Sequence, residues 1–536
     1  MERKILIAAL VLGILVDVFF AIVNFYPVAP PRSRGPRREI IAEMDRRHAR
    51  WFQENVLDEF NHEHNVNLVI RATPGDEILE RLRSSRDGRH GVWLAILPSA
   101  YTRRAVHERL VRPVDEIPDA RSIAADFGEL RPEVMAAARV DGRQYFLPRM
   151  TLLDLAVYRS SKVRDAVLHW LPLRPAIESA LRAMNGRGLP EGYELERSPT
   201  EWDTYDAFVI GYFWAHRSYA DLPPRPRMAH RSDPGVPGEA YLLSTIYRAG
   251  ATDATIRQVD SPSAVDALAW DALFRREGLY PEAMSSQGGM DAESIVGGIA
   301  EGRLFLAPVD ETEAFRIHGG AMRDAESQVD DPDDLGFAAM PHGASLELDA
   351  TGRPARVARG FSFREDSVWA LPAGGPDDAL AYEFLRFAWS REMHVRECEA
   401  IGILPLRNDV VLARASIFRL GWQQEIFEGA LAQWDRAEAL QPSLLDDGVG
   451  TAYQLHWRTL VAQRPVTSLA AVAMALRTAP VATVLPASVP PGRDAPRDDL
   501  ELWRSTVQIQ LPDASAPGIA ADDVNATDAS AGREGR

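Results

Sequence analysis

Asp310, Glu311 and Thr312 follow the strand-like run "RLFLAPV" (303–309) and place two carboxylates and a hydroxyl in one short stretch. At the wall of a cleft, such groups accept hydrogen bonds from sugar hydroxyls. At the start of a helix the same acids would cap free backbone N–H groups. Both readings stay open in the sequence. A second group lies in "LPSAY" (97–101), where Ser99 offers a hydroxyl and Tyr101 an apolar ring with a polar tip. Trp202 in "SPTEWD", Phe361 with Ser362 in "ARGFSF", and Tyr453 in "LLDDGVGTAYQLHW" are further candidates for contact with a ligand. Each has a packing alternative: Trp202 as an anchor at a helix start, Tyr453 as a residue between helices.

Other constellations fail on their chemistry. His62 and His64 in "NHEHN" are alternate residues at a helix end, so they point different ways, and no third metal ligand accompanies them. Gly343-Ala344-Ser345 is followed by Leu-Glu and does not complete a nucleophile elbow. The tract "DDPDD" (330–334) lacks the glycine and the terminal glutamate of a calcium loop. Cys398 is the only cysteine, which excludes an internal disulfide and any multi-cysteine metal site. No enzyme activity, cofactor or metal is therefore expected.

The elements that must position the candidates begin after an unusual N-terminus. Residues 5–26, "ILIAALVLGILVDVFFAIVNFY", are long and apolar enough for a membrane-crossing helix, so residues 1–26 are expected to be an anchor or a cleaved signal. Basic residues prefer the cytoplasmic side, and Arg32, Arg34, Arg37 and Arg38 after the segment oppose export of the body. Residues 27–44 read as a spacer rich in proline and arginine. The formal charge of -17 argues against a nucleic-acid partner. Lys4 and Lys162 are the only lysines, and neither sits in a phosphate loop.

At 536 residues the chain is too long for one core. "VNLVI" (66–70) and "GVWLAIL" (91–97) are strands alternating with helices, which predicts a parallel sheet wrapped on both faces. Ligands bind such sheets outside the carboxyl ends of the strands, which makes "LPSAY" a candidate site wall. Asp141-Gly142 marks a hairpin turn, and Pro148 is expected to end a strand. "SYADLPPRPRMAHRSDPGVPGE" (218–239) carries too many prolines for a helix and is expected to be a surface loop. Residues 479–536 form an extension expected to be largely disordered.

Taken in order, "WFQENVLDEFNHEHNVNLVI", "GVWLAIL", "DGRQYFLPR" with "LAVYRSS", "SPTEWDTYD", "YLLSTIYRAGA", "IAEGRLFLAPV", "LGFAAMPHG", "DALAYEFLRFAWSRE" and "AIGILPLRND" resemble the extracellular solute-binding proteins of ABC importers, the family that includes the maltose-binding protein. The resemblance implies an α/β fold of two lobes of the type II periplasmic-binding kind, each a doubly wound sheet, joined by hinge strands. It places lobe 1 at 45–152 and 310–388, lobe 2 at 153–309 and 389–478, and Tyr158 at the lobe boundary, where the alternative is a core tyrosine. It implies capture of a small ligand, a carbohydrate, by lobe closure outside the cytoplasmic membrane, for delivery to an ABC permease. The chain departs from the family in having Gly91-Val92 where Pro-Asp is common and in lacking a lipid-anchoring cysteine. A membrane-tethered sensor or interaction protein with the same fold is the rival reading.

Overall fold

The eight longer strands are β1 (Arg37–Ala42), β2 (Asn67–Ala72), β3 (Val92–Pro98), β4 (Phe146–Leu152), β5 (Leu155–Arg159), β6 (Leu306–Val309), β7 (Leu335–Ala339) and β8 (Phe363–Pro372). They form two sheets in a computed structural model that describes residues 35–478, apart from 87–90, 118–122, 124, 218–221, 287, 325–326, 376–377 and 463–465. The first sheet runs β2-β1-β3-β8-β4. β1 is parallel to both neighbours, whereas β8 is antiparallel to β3 and β4. The second sheet is β7-β5-β6, antiparallel throughout.

Two expected boundaries move. Residues 37–42, placed in the spacer by their arginines, form a central strand in which Ile40, Ile41 and Ala42 are fully buried. "RREIIA" is too short for periodicity to separate it from the basic stretch before it. β7, expected with lobe 1, instead pairs with β5 in register Phe337 to Val157. The expectations for residues 1–26 and 479–536 lie outside the described residues. Among the described residues no helix is long and apolar enough to cross a membrane.

Pro148 does not end its strand. β4 continues to Leu152, and its pairing with β8 slips between Ser367, opposite Met150, and Val368, opposite Pro148. Arg149 is left as the extra residue of a bulge, where the proline's missing N–H costs no ladder bond. The bulge re-aims the side chain: Arg149 is buried in an ion pair with Glu397, on the helix Arg391–Ile401, through Nη1 at 3.1 Å and through Nη2. His48, on α1 (Arg46–Phe52), meets the same carboxylate at 2.6 Å. Nearby, Phe384 sits edge-on to Phe60 and Trp369 in the core of the first lobe.

The second sheet is covered by α2 (Thr204–His216), α3 (Val236–Arg248) and α4 (Pro262–Arg276). α2 is apolar all round and is buried from Tyr205 to Trp214, as a helix enclosed by neighbours must be. A capping box between Asp203 and Asp206 starts it. The proline-rich stretch before α3 is a surface loop only in part: Pro223 to Arg225 are exposed, whereas Arg227 to Ser232 are buried and Phe305 donates its N–H to the Arg227 carbonyl at 2.7 Å. Its prolines prevent helix formation but do not decide exposure.

Among these strands the chain passes between the sheets twice: at Leu153-Asp154 and between β7 and β8.

Candidate functional site

The carboxyl ends of β1, β2 and β3 point to one place, as parallel packing requires. The turns that follow them, Glu43–Arg46, Thr73-Pro74 and Ser99–Tyr101, form one wall of a cleft of about 490 Å³. Glu365, Asp366 and Ser367 of β8 and Met150 and Leu152 of β4 form its floor. The opposite wall comes from Val236 and Pro237 at the start of α3, from Ala292 and Glu293, and from α5 (Glu311–His318), which contributes Thr312, Glu313 and Arg316 behind its cap Asp310.

Arg231 organises the charge on that second wall. Its Nη2 donates to Glu313 at 2.7 Å and to Asp310 at 3.4 Å, while Nη1 lies 3.6 Å from Glu365. One buried guanidinium among these carboxylates leaves them crowded. Burial pushes Glu313 up to about 8, against the pull of Arg231 and with Asp310 adding to the rise. Burial likewise pushes Glu365 up, with Asp154 and Asp310 adding to it against the pull of Arg231. Asp366 accepts a 2.6 Å bond from the Thr151 hydroxyl and lies 3.5 Å from Arg364. The cleft thus presents carboxyl groups, hydroxyls and one tyrosine ring to its contents. This arrangement can hydrogen-bond a polyhydroxylated solute from two sides.

An ion network spans the mouth. Arg47, one residue past the first-lobe wall, meets Glu293 at 3.3 Å and Asp324 at 2.5 Å. Arg316 holds the same two acids from the other side, at 2.7 Å and 3.4 Å.

Of the residues singled out in the sequence, Ser99, Tyr101, Asp310 and Thr312 line the cleft together. Asp310 also caps α5, accepting from Thr312 N at 2.8 Å and Glu313 N at 2.9 Å, so the capping reading is realised in a residue that also lines the cleft. The other candidates are elsewhere. Glu311 is fully buried and turned inward, where its Oε2 accepts from Leu153 N at 2.9 Å. Trp202 is a core residue donating to the Glu196 carbonyl at 3.0 Å, with Tyr158 edge-on to it at 5.4 Å. Phe361 stacks on Tyr247 at 4.8 Å, and Ser362 beside it is buried. Tyr453 is buried between helices, its hydroxyl donating to the carbonyls of Ile256 at 2.8 Å and Gln258 at 3.1 Å. For Trp202 and Tyr453 a packing role is the one realised, whereas Glu311 neither lines the cleft nor caps the helix.

Sequence reasoning missed Glu43, Arg231, Arg316, Glu365 and Asp366. A signal existed for the last two, because "RED" interrupts the otherwise apolar run "FREDSVWALP". Charge inside a buried strand has to face something polar.

No protein-family description matches the chain, and no curated protein matches it. Solved structures do. The maltotriose-binding protein of Thermus thermophilus superposes with a TM-score of 0.57 at 14% identity, covering 82% of this chain and 97% of that one. The chain has the two-lobed solute-binding fold. An ABC-transporter solute-binding protein of Thermotoga lettingae bound with α-D-tagatose gives 0.58 at 15% identity, over 83% of this chain and 98% of the other. One from Agrobacterium radiobacter in complex with ribitol gives 0.59 at 11%, over 83% and 98%. In this fold the cleft described above is the space between the two lobes.

Proposed function

We propose that the protein captures a small polyhydroxylated solute, a carbohydrate or polyol, in the cleft between its lobes, and closes on it for delivery to an ABC importer. The observation that carries this reading is the cleft itself, with hydroxyl and carboxyl groups at the carboxyl ends of β1 to β3 facing those of α5. Both walls would touch the same solute, so binding would stabilise the closed arrangement over the open one. The reading assigns no covalent step to the protein. The solved proteins of the same fold bind maltotriose, tagatose and ribitol.

With this function the body works outside the cytoplasmic membrane, held there by residues 1–26, and its partner is a permease. Export despite the arginines after the apolar segment is consistent with the weak influence of local charge on large folded domains. An alkaline phosphatase fusion at the end of the body should be active, and a stable but inactive fusion would place the body inside. A thermal-shift screen against sugars and polyols tests the capture step, because a solute that binds only the folded state raises its melting temperature. If no member of a broad panel shifts the transition, the carbohydrate reading fails.

A further inference from the structure

A second cavity, about 110 Å³, lies inside the second lobe against the hinge ends of β5 and β6, enclosed by α2, α3 and α4. It has room for several waters or one small molecule. Alanines, among them Ala207 and Ala267, stand where larger side chains would fill it.

One of its polar atoms, His230 Nε2, is not satisfied by the protein. Arg248 is nine-tenths buried, yet among the described residues it forms no ion pair; it donates to the Thr245 hydroxyl at 2.8 Å and lies over the Tyr241 ring. The buried Asp154 carboxylate balances its charge from beyond ion-pair distance, which leaves guanidinium donors available to an acceptor in the cavity. His230 poses the complementary demand. Its Nδ1 sits 2.7 Å from the Arg231 carbonyl and must donate to it, so a neutral ring would present Nε2 as an acceptor. That nitrogen is buried without a hydrogen-bond partner, and the nearest group, Asp271 at 3.6 Å, can only accept. Asp271 itself is already engaged by the Trp457 indole N–H at 2.8 Å and the Tyr280 hydroxyl at 3.3 Å.

A group that donates to His230 and accepts from Arg248 is a hydroxyl. An oxyanion would serve Arg248 but stand near the Asp271 carboxylate. The walls fit an uncharged ligand with apolar faces, since Tyr241 stacks on His230 at 4.7 Å and Phe274 on Tyr280 at 5.2 Å. The geometry points to a second binding site, inside the second lobe, for a small neutral polyhydroxyl compound such as a pentitol or a pentose. This site is separate from the cleft and does not depend on the transport reading.

Ribitol and D-xylose are suitable probes, tested by calorimetric titration of the full chain and by crystal structures at saturating probe. The expected result is a probe molecule in the cavity with one hydroxyl between His230 Nε2 and the Arg248 guanidinium. Arg248→Met and His230→Phe should each weaken that binding by about tenfold or more, while Tyr101→Ala leaves it unchanged. Water alone in the cavity with both probes, or full affinity in a folded Arg248→Met protein, would overturn the inference. A probe found only in the cleft and lost with Tyr101→Ala would also overturn it while upholding the capture reading. Occupancy of the cavity alone would do the reverse. The structures of the unaltered protein decide the matter even if a variant fails to fold.

Discussion

The carboxyl group of Glu311 takes the backbone N–H of Leu153 at 2.9 Å, joining the start of α5 to the first passage of the chain between the sheets. Leu153 sits between β4 and β5, where no sheet partner is available for its N–H, so this one side chain satisfies it. The bond fixes how the start of α5 lies against that connection.

Burial, followed by the neighbouring Asp310, holds the Glu311 carboxyl well above the usual range. A raised carboxyl pKa contributes stability that is fully present below the unfolded value and is lost as pH rises toward the folded one. Glu311→Gln, which mimics the acid form, should therefore fold normally and flatten this loss between mildly acid and neutral pH. Glu311→Ala leaves the Leu153 N–H unpaired and should lower stability by about 1 to 3 kcal/mol. Urea unfolding of both variants across pH checks the pair.

Glu397 should behave in the opposite sense. Burial alone would raise its pKa, but Arg149 and His48 overrule burial and hold it down to about 2 from an ordinary 4.5. Its stabilisation is present above the ordinary value and lost as pH falls toward about 2. Glu397→Ala strands a buried Arg149 and should cost about 3 to 5 kcal/mol. Acid unfolding followed by circular dichroism should show the wild-type protein losing stability over that window, with the loss reduced in a folded Glu397→Gln protein.

How much of this was legible in the sequence depended on what each residue needs from its neighbours. The alternation from Val66 to Leu97 revealed the parallel strands and the "LPSAY" wall because local periodicity carries that information. Two of the triplet at 310–312 line the cleft, but which ones was not legible, since a helix start turns adjacent side chains in different directions. Trp202, Phe361 and Tyr453 went to the core because large aromatic side chains bury most area there. Arg231 and Glu365 stayed hidden: 134 residues of chain separate partners that only the folded hinge brings together.

Tyr101 and Asp366 lie on different parts of the cleft and test it independently. Tyr101→Ala removes apolar contact area and should weaken solute binding about tenfold, with Tyr101→Phe largely tolerated. Asp366→Asn keeps its shape but loses a charged acceptor and should reduce affinity by about tenfold to a hundredfold. Calorimetric titration, beside melting curves that verify folding, reads both effects.

The network at the mouth predicts a weaker, salt-sensitive effect. Arg47 is partly exposed where it meets Glu293 and Asp324, and such pairs contribute about 0.2 to 1 kcal/mol. Arg47→Ala should favour the open arrangement slightly and weaken solute binding by less than about tenfold. Affinity measured at low and high salt should converge between variant and wild type as salt screens the pair.

The central claim is that solute binding in the cleft draws the two lobes together, and small-angle X-ray scattering measures this most directly. A sugar or polyol that raises the melting temperature should, at saturation, reduce the radius of gyration of the full body, and Tyr101→Ala should shift that change to higher concentration. An unchanged scattering profile from protein that the same solute demonstrably stabilises would contradict capture by closure.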